Sequence, residues 1–421
     1  MDQFDVVYVR NQFPALRRVV DGQPAAFLDS PGGTQVPQRV LDAVRHYMAD
    51  INANTHGAFV TSQESDRATE AARATAADFL GCDADEVSFG ANMTTLTLLL
   101  AQALRREMKP GDEVLITELD HEANRGPWEQ LAEHGIVVRE VPVDTATCTL
   151  DWAAFESLVS ERTRVVAVGY ASNAVGTVND VRRVAALARE AGAFSVIDAV
   201  HYALHGPIDV RALGVDFLLC SAYKFFGPHV GIMYARRAAG AALRPLKLRP
   251  QDDAAPLKFE TGTPNFEGIM GAAEAVEFIA DMGRHHEALV ADKLGGAQGR
   301  RRAIVAGMLA AEAHEQPLAQ VLIEGLSAVK GVTVYGPPAG HPRTSTVSFT
   351  LDGFTAQEVA RALGERGLFV WDGDFFATRL VERLGLVGRG GLVRVGLAPY
   401  NTAAEGERVI DAVRRLARPM S

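Results

Sequence analysis

Hydrophobic positions in the middle of the chain follow two patterns in turn. Short apolar runs, Glu113-Val114-Leu115-Ile116-Thr117, Arg164-Val165-Val166-Ala167-Val168, Ser195-Val196-Ile197 and Phe217-Leu218-Leu219, read as strands. Between them, stretches such as 181–191 carry apolar residues at helical spacing. That alternation builds a mostly parallel sheet covered by helices. After about Gly268 the pattern changes to long helices rich in alanine and arginine. Beyond Val332, strands including Thr346-Val347-Ser348-Phe349 and Leu392-Val393-Arg394-Val395 alternate with helices. The expected architecture is α/β. A large domain over 27–265 holds the mostly parallel sheet, and a smaller α+β domain over 266–421 packs with residues 1–26.

Composition narrows this picture without redirecting it. With 421 residues, 48% of them hydrophobic, the chain is long enough for two cores. The net charge of −10 is spread along the chain, which argues against nucleic acid or an anionic membrane as the main partner. The start, Met1-Asp2-Gln3-Phe4-Asp5, is acidic and lacks the basic and apolar regions of a signal peptide. No apolar run approaches the roughly eighteen residues that span a bilayer. Cys82, Cys148 and Cys220 are odd in number and widely spaced, so they suggest neither a disulfide framework nor a metal site. A soluble cytoplasmic protein is expected.

The candidate chemistry centres on Cys220-Ser221-Ala222-Tyr223-Lys224-Phe225-Phe226-Gly227-Pro228, where a lysine stands between an apolar strand and a glycine-proline turn. A lysine capping a surface turn has the same local signature. A desolvated lysine, however, loses part of its preference for the charged form and becomes nucleophilic. In Phe194-Ser195-Val196-Ile197-Asp198-Ala199-Val200-His201, the preceding strand of the alternating pattern ends in a carboxylate. Neighbouring parallel strands would bring Asp198 and Lys224 into one cleft at their carboxyl ends. Pyridoxal phosphate requires such a pair: a lysine for its aldehyde and a carboxylate to keep its ring nitrogen protonated.

On these residues the chain resembles the class V aminotransferase family of fold type I pyridoxal phosphate enzymes, and within it the cysteine desulfurase and selenocysteine lyase-like branch. The resemblance runs from about Phe27 to Ala417. It implies a seven-stranded type of mostly parallel sheet, and Lys224, His121 and Asp198 as catalytic residues. It implies a phosphate cup at Met93, Thr94 and Thr95, in Val87-Ser88-Phe89-Gly90-Ala91-Asn92-Met93-Thr94-Thr95, joined by Ser221 and Tyr223. Thr263, in Glu260-Thr261-Gly262-Thr263-Pro264, matches a residue that crosses from a partner subunit, which implies a homodimer with shared sites. His121 matches a histidine stacked on the cofactor ring, and Asn173 an asparagine on its phenolate. His201 stands where desulfurases usually carry glutamine. Arg394 matches the arginine that grips the substrate carboxylate. Asn54 and His56 resemble a substrate-facing loop.

One departure bears on function. In Val370-Trp371-Asp372-Gly373-Asp374-Phe375-Phe376-Ala377, Phe376 occupies the position of the cysteine that becomes a persulfide in desulfurases. A phenyl ring cannot attack sulfur. Trp371, Phe375 and Phe376 are either plain core or the lining of a pocket for a substrate tail, with Phe376 counted as substrate-binding. The reading is a pyridoxal phosphate lyase that cleaves the carbon-sulfur bond of cysteine or a cysteine S-conjugate by β-elimination. An aminotransferase, epimerase or decarboxylating oxidative deaminase is the enzymatic alternative. A non-catalytic scaffold is disfavoured by the joint presence of Lys224, Asp198, His121 and Arg394.

Overall fold

The computed structural model describes residues 3–417; residues 1, 2 and 418–421, the ends of the expected small domain, lie outside the described residues. Seven strands form the main sheet: β1 (Val87–Gly90), β2 (Glu113–Thr117), β3 (Val137–Val141), β4 (Thr163–Gly169), β5 (Phe194–Asp198), β6 (Phe217–Ser221) and β7 (Gly231–Ala235). Their order is β1-β7-β6-β5-β4-β2-β3. Only β7 runs against its neighbours, so β2, β4, β5 and β6 all end on one edge. Strand β2 and β4 through β7 are buried almost throughout, as expected where helices cover both faces. Helix α1 (Val60–Leu80), α2 (Met93–Arg105) and α3 (Val181–Glu190) are among those helices. In α3, Val181, Val184, Ala185 and Ala188 form the buried stripe that the spacing predicts.

The smaller sheet has four antiparallel strands: β8 (Val332–Tyr335), β9 (Thr346–Leu351), β10 (Trp371–Gly373) and β11 (Leu392–Gly396), in the order β8-β9-β11-β10. Beside it, Ala26–Phe27 pairs in parallel with Leu368–Phe369.

The two cores do not divide at residue 265. Helix α4 (Phe266–His286) buries Ile269, Ala272, Val276 and Ile279 in the main core, because its apolar face continues the surface of α1. Helix α5 (Gly299–Ser327) serves both cores: Ala303, Ile304, Met308 and Ala311 join the main one, and Ala319, Leu322 and Leu326 the smaller one. Pro317, which has no backbone N–H to donate, lies between the two sets. The change of composition after Gly268 thus marks a change of element type, not of core. The N-terminal segment touches both cores and the C-terminal part: Phe4 stacks on His286 and His314, and Arg10 pairs with Glu405. Val9, Phe13 and Leu16 pack in the main core, where Phe13 meets Phe226 and Phe278 edge-on at 5.5 and 5.3 Å, while Ala26 and Leu28 belong to the smaller core.

Helices α4 and α5 cross at Gly283 and Gly307. A Cβ on Gly283 would strike the Ala303 carbonyl, and one on Gly307 the Ile279 carbonyl, so only glycine allows this approach. No helix among the described residues is long and apolar enough to cross a membrane.

Candidate active site

The carboxyl ends of β2, β4, β5 and β6 open into a cleft of about 490 Å³. Met93, Thr94, Thr95, His121, Asn173, Asp198, His201, Ser221, Tyr223 and Lys224 all line it. A second cleft of about 600 Å³ adjoins the first and shares Thr94, His121, Asn173, Tyr223 and Lys224 with it; Arg394 and Phe376 line this second space. Residues expected from sequence on separate elements therefore meet at one sheet edge.

Lys224 ends a short 3₁₀ turn, Ala222–Lys224, that follows β6 directly. Its Nζ donates to the carbonyls of Pro31 and of Gly32, the latter at 3.3 Å. Burial lowers its pKa to about 7, helped by the Arg394 charge and opposed by Asp29 and Asp198. An amine at that value is substantially neutral at physiological pH, which is the nucleophilic form. Asp198 ends β5. Burial raises its carboxyl to about 6, opposed by the Val200 N–H, which donates to Oδ1 at 2.9 Å, and by the Lys224 charge. A proton-hungry carboxylate in this position suits a nitrogen base that arrives protonated.

Helix α2 aims its N-terminus into the cleft. Asn92 caps it by accepting from the Thr95 N–H at 2.9 Å, and Ser221 Oγ accepts the Met93 N–H at 2.9 Å. The Thr95 hydroxyl also reaches Asn92 Oδ1, at 3.1 Å. One surplus donor is thus tied across from β6, and the helix end remains a place for an anion.

His121 Nδ1 accepts from the Ala123 N–H at 3.0 Å. Burial and the charges of Lys224 and Arg394 lower its pKa to about 4, so the ring is neutral at pH 7. Asn173 Nδ2 donates to the Phe375 carbonyl at 2.8 Å. His201 is buried, with Nε2 3.0 Å from both Thr344 Oγ1 and Thr346 Oγ1; burial and the neighbouring His205 keep its pKa well below the ordinary value.

Arg394, in the middle of β11, is buried. Its Nη1 donates to the Asn173 carbonyl at 3.0 Å, Nη2 lies 3.3 Å from Asp29 Oδ1, and the guanidinium lies 4.2 Å from the Phe375 ring centroid. Nε is buried without a partner. Burial lowers the pKa to about 10, which leaves the group charged and short of acceptors. A carboxylate entering the cleft would supply them.

Phe375 and Phe376 both hold φ at +57°, an uncommon setting for such residues that costs on the order of 1–3 kcal/mol each. Hydrogen bonds hold the backbone there: the Phe376 N–H donates to Asp374 Oδ1 at 3.0 Å and its carbonyl accepts from Glu122 at 2.7 Å. The Phe376 ring lies 5.5 Å from that of His121. None of the three cysteines lines either cleft. Burial pushes their thiols up, Cys148 to about 11 and Cys82 to about 12.

Thr263, Asn54 and His56 are not brought to this site within one chain. They line a separate groove of about 810 Å³ beside the Arg73–Glu260 ion pair. Three contributors escape sequence reasoning. Asp29 pairs with Arg394, and Asp120, its carboxyl raised by burial to about 7, accepts the Gly169 N–H at 2.8 Å. His229 stacks on Tyr223 at 4.8 Å. Asp29, in Leu28-Asp29-Ser30-Pro31-Gly32-Gly33, did carry the signal of an apolar run ending in a carboxylate before a glycine turn.

The sequence profile of the aminotransferase class-V family matches residues 26–295 and 303–409. Cysteine desulfurases of Yersinia pestis (strain Pestoides F) and Yersinia pseudotuberculosis serotype O:3 (strain YPIII) are each 32% identical over 432 aligned residues, covering 99% of both chains. Two solved structures share the fold at 26% identity, with 98% of each chain covered: the apo cysteine desulfurase of Thermococcus onnurineus NA1, TM-score 0.85, and the Escherichia coli cysteine desulfurase CsdA in its S-sulfonic acid form, TM-score 0.82.

Proposed function

The chain belongs to the class-V aminotransferase family, and we propose that it cleaves the Cβ–S bond of cysteine or a cysteine S-conjugate without passing sulfur to a protein thiol. Its cofactor is pyridoxal phosphate. The cleft fits this group: a buried carboxylate, an amine lowered to about 7 and the N-terminus of α2 face one space of about 490 Å³. Lys224 would hold the aldehyde carbon, Asp198 the ring nitrogen, and the start of α2 with Thr94, Thr95, Ser221 and Tyr223 the phosphate. When bound, the cofactor supplies an electron sink for negative charge at the substrate Cα.

The protein's own part follows from the positions of its groups. Arg394, oriented by Asp29, would clasp the substrate carboxylate and so direct the Cα–H toward Lys224. The neutral Lys224 amine would take that proton, and neutral His121 would hold a ring face without adding charge. Sulfur would then leave from Cβ as a thiolate. Asn54, His56 and Thr263 face an open groove away from Lys224, which supports a homodimer in which they complete the partner's site.

The observation that carries the persulfide-free reading is Phe376 at the mouth of the site, with no cysteine lining either cleft among the described residues. The test uses a variant with Cys82, Cys148 and Cys220 replaced by alanine. Thiol or sulfide, pyruvate and ammonia should form within a few-fold of the parent rate, and borohydride should fix a pyridoxyl group on Lys224. Loss of turnover with an intact cofactor spectrum would restore a catalytic cysteine. Carbon dioxide, an aldehyde or racemised substrate in place of pyruvate would replace the lyase with one of the alternative reactions.

A further inference from the structure

Beside the Arg394 and Lys224 side chains lies a space that free cysteine does not need. The second cleft, about 600 Å³, is walled by Leu98, Pro127, Trp371 and Phe376. Its size falls in the range of roughly 300–1,000 Å³ typical of pockets for drug-sized ligands. Three of these side chains are large, apolar and left facing the opening: Phe376 is 68% exposed, Trp371 55% and Leu98 37%. Phe376 does not project there through slack. Its left-handed backbone is fixed on both sides by Asp374 and Glu122, and the preceding peptide is held by Asn173.

The wall also carries a carboxylate, 3.6 Å from the Arg125 guanidinium. Glu122 lines the cleft, half-buried, with its carboxyl raised by burial and by the nearby Glu129, Asp374 and Glu382 despite Arg125. The cationic groups Lys224 and Arg394 line the same cleft, with Asp29 against Arg394, where an amino acid head would lie.

We propose that the substrate is a cysteine S-conjugate whose sulfur bears a neutral aromatic or bulky apolar group, and that Phe376 and Trp371 are specificity residues that cover this group. The inference rests on the carbon-sulfur lyase reading and names its substrate class. The step balances without an oxidant or sulfur acceptor. The Cα proton goes to Lys224, the Cβ–S bond breaks, and its electron pair leaves with sulfur as the thiolate R–S⁻. The bond between R and sulfur stays intact, and water converts the remaining fragment to pyruvate and ammonium. A thiolate departing with its substituent needs no nucleophile at position 376, so the same side chain that removes persulfide chemistry supplies a surface for the tail. A tail with its own carboxylate would meet the Glu122 carboxylate on the cleft wall.

The test compares S-phenylcysteine, S-carboxymethylcysteine and cysteine on the holoenzyme, reading thiol or sulfide and pyruvate. It also follows quenching of Trp371 fluorescence on binding, identified as the part lost in Trp371→Phe. S-phenylcysteine should be preferred by at least about tenfold in kcat/KM. Phe376→Ala should raise its KM by about ten- to hundredfold with little change in kcat, and Phe376→Leu should restore most of the loss. Equal use of all three substrates, unmoved by Phe376→Ala, would overturn the aromatic tail and leave the lyase standing. Quenching that depends on Phe376 without thiol release from any substrate would keep the apolar pocket and overturn the lyase reading beneath it. Preference for the carboxylated conjugate would overturn the charge argument and with it the proposed substrate class.

Discussion

Asp198 illustrates how a single buried group ties chemistry to stability. Its carboxyl titrates at about 6 in the folded chain, against roughly 3.9 when unfolded. Between these values the folded state still holds a proton that the unfolded chain has released, so stability falls as pH rises through about 4 to 6. Above that window the full cost of the buried charge remains. In cofactor-free protein, Asp198→Asn should therefore raise the urea midpoint at pH 8, with the gain shrinking toward pH 4. A gain that does not change with pH would show that the carboxylate is not held against its burial. The cofactor-loaded enzyme should respond in the opposite direction, because the same substitution removes the partner of the protonated ring nitrogen. Lys224 and Asp198 were legible in the sequence because each closes an apolar strand, a local signal. Asp29 lies 365 residues from Arg394, and its pairing depends on strand contacts that no local pattern carries.

Among the elements, α2 depends most on a few donors. Asn92 and Ser221 satisfy the N–H groups of Thr95 and Met93, and Thr94 between them lines the cleft. Asn92→Ala should cost about 0.5–2 kcal/mol of stability in urea unfolding. It should also loosen cofactor retention, measured by equilibrium dialysis of pyridoxal phosphate, since the cap fixes the turn that presents Thr94. Unchanged retention alongside the stability loss would separate the cap from the phosphate site. Strands β2, β4, β5 and β6 and helix α3 were legible because burial on both faces, or on one stripe, leaves an apolar record. The order β1-β7-β6-β5-β4-β2-β3 left none, and neither did the two-residue pair Ala26–Phe27 and Leu368–Phe369, too short to show a period.

For the whole molecule, the groove holding Thr263 leads to a question of assembly. Mixed after denaturation and refolding, Lys224→Ala and Thr263→Ala variants, each inactive alone, should recover up to about a quarter of parental activity, the share that random pairing gives to one intact site per mixed dimer. A fully active monomer by light scattering would end that idea. The glycine crossing of α4 and α5 acts on the same scale. Because α5 is rooted in both cores and pressed against α4 where no side chain fits, it works as a common axle rather than a hinge pin. Swinging the smaller sheet away from the larger would mean prising that crossing apart or bending the helix at Pro317. The cheaper route to the cleft runs through its rim, past the exposed rings at 371 and 376, so a ligand can come and go while the two cores stay locked together.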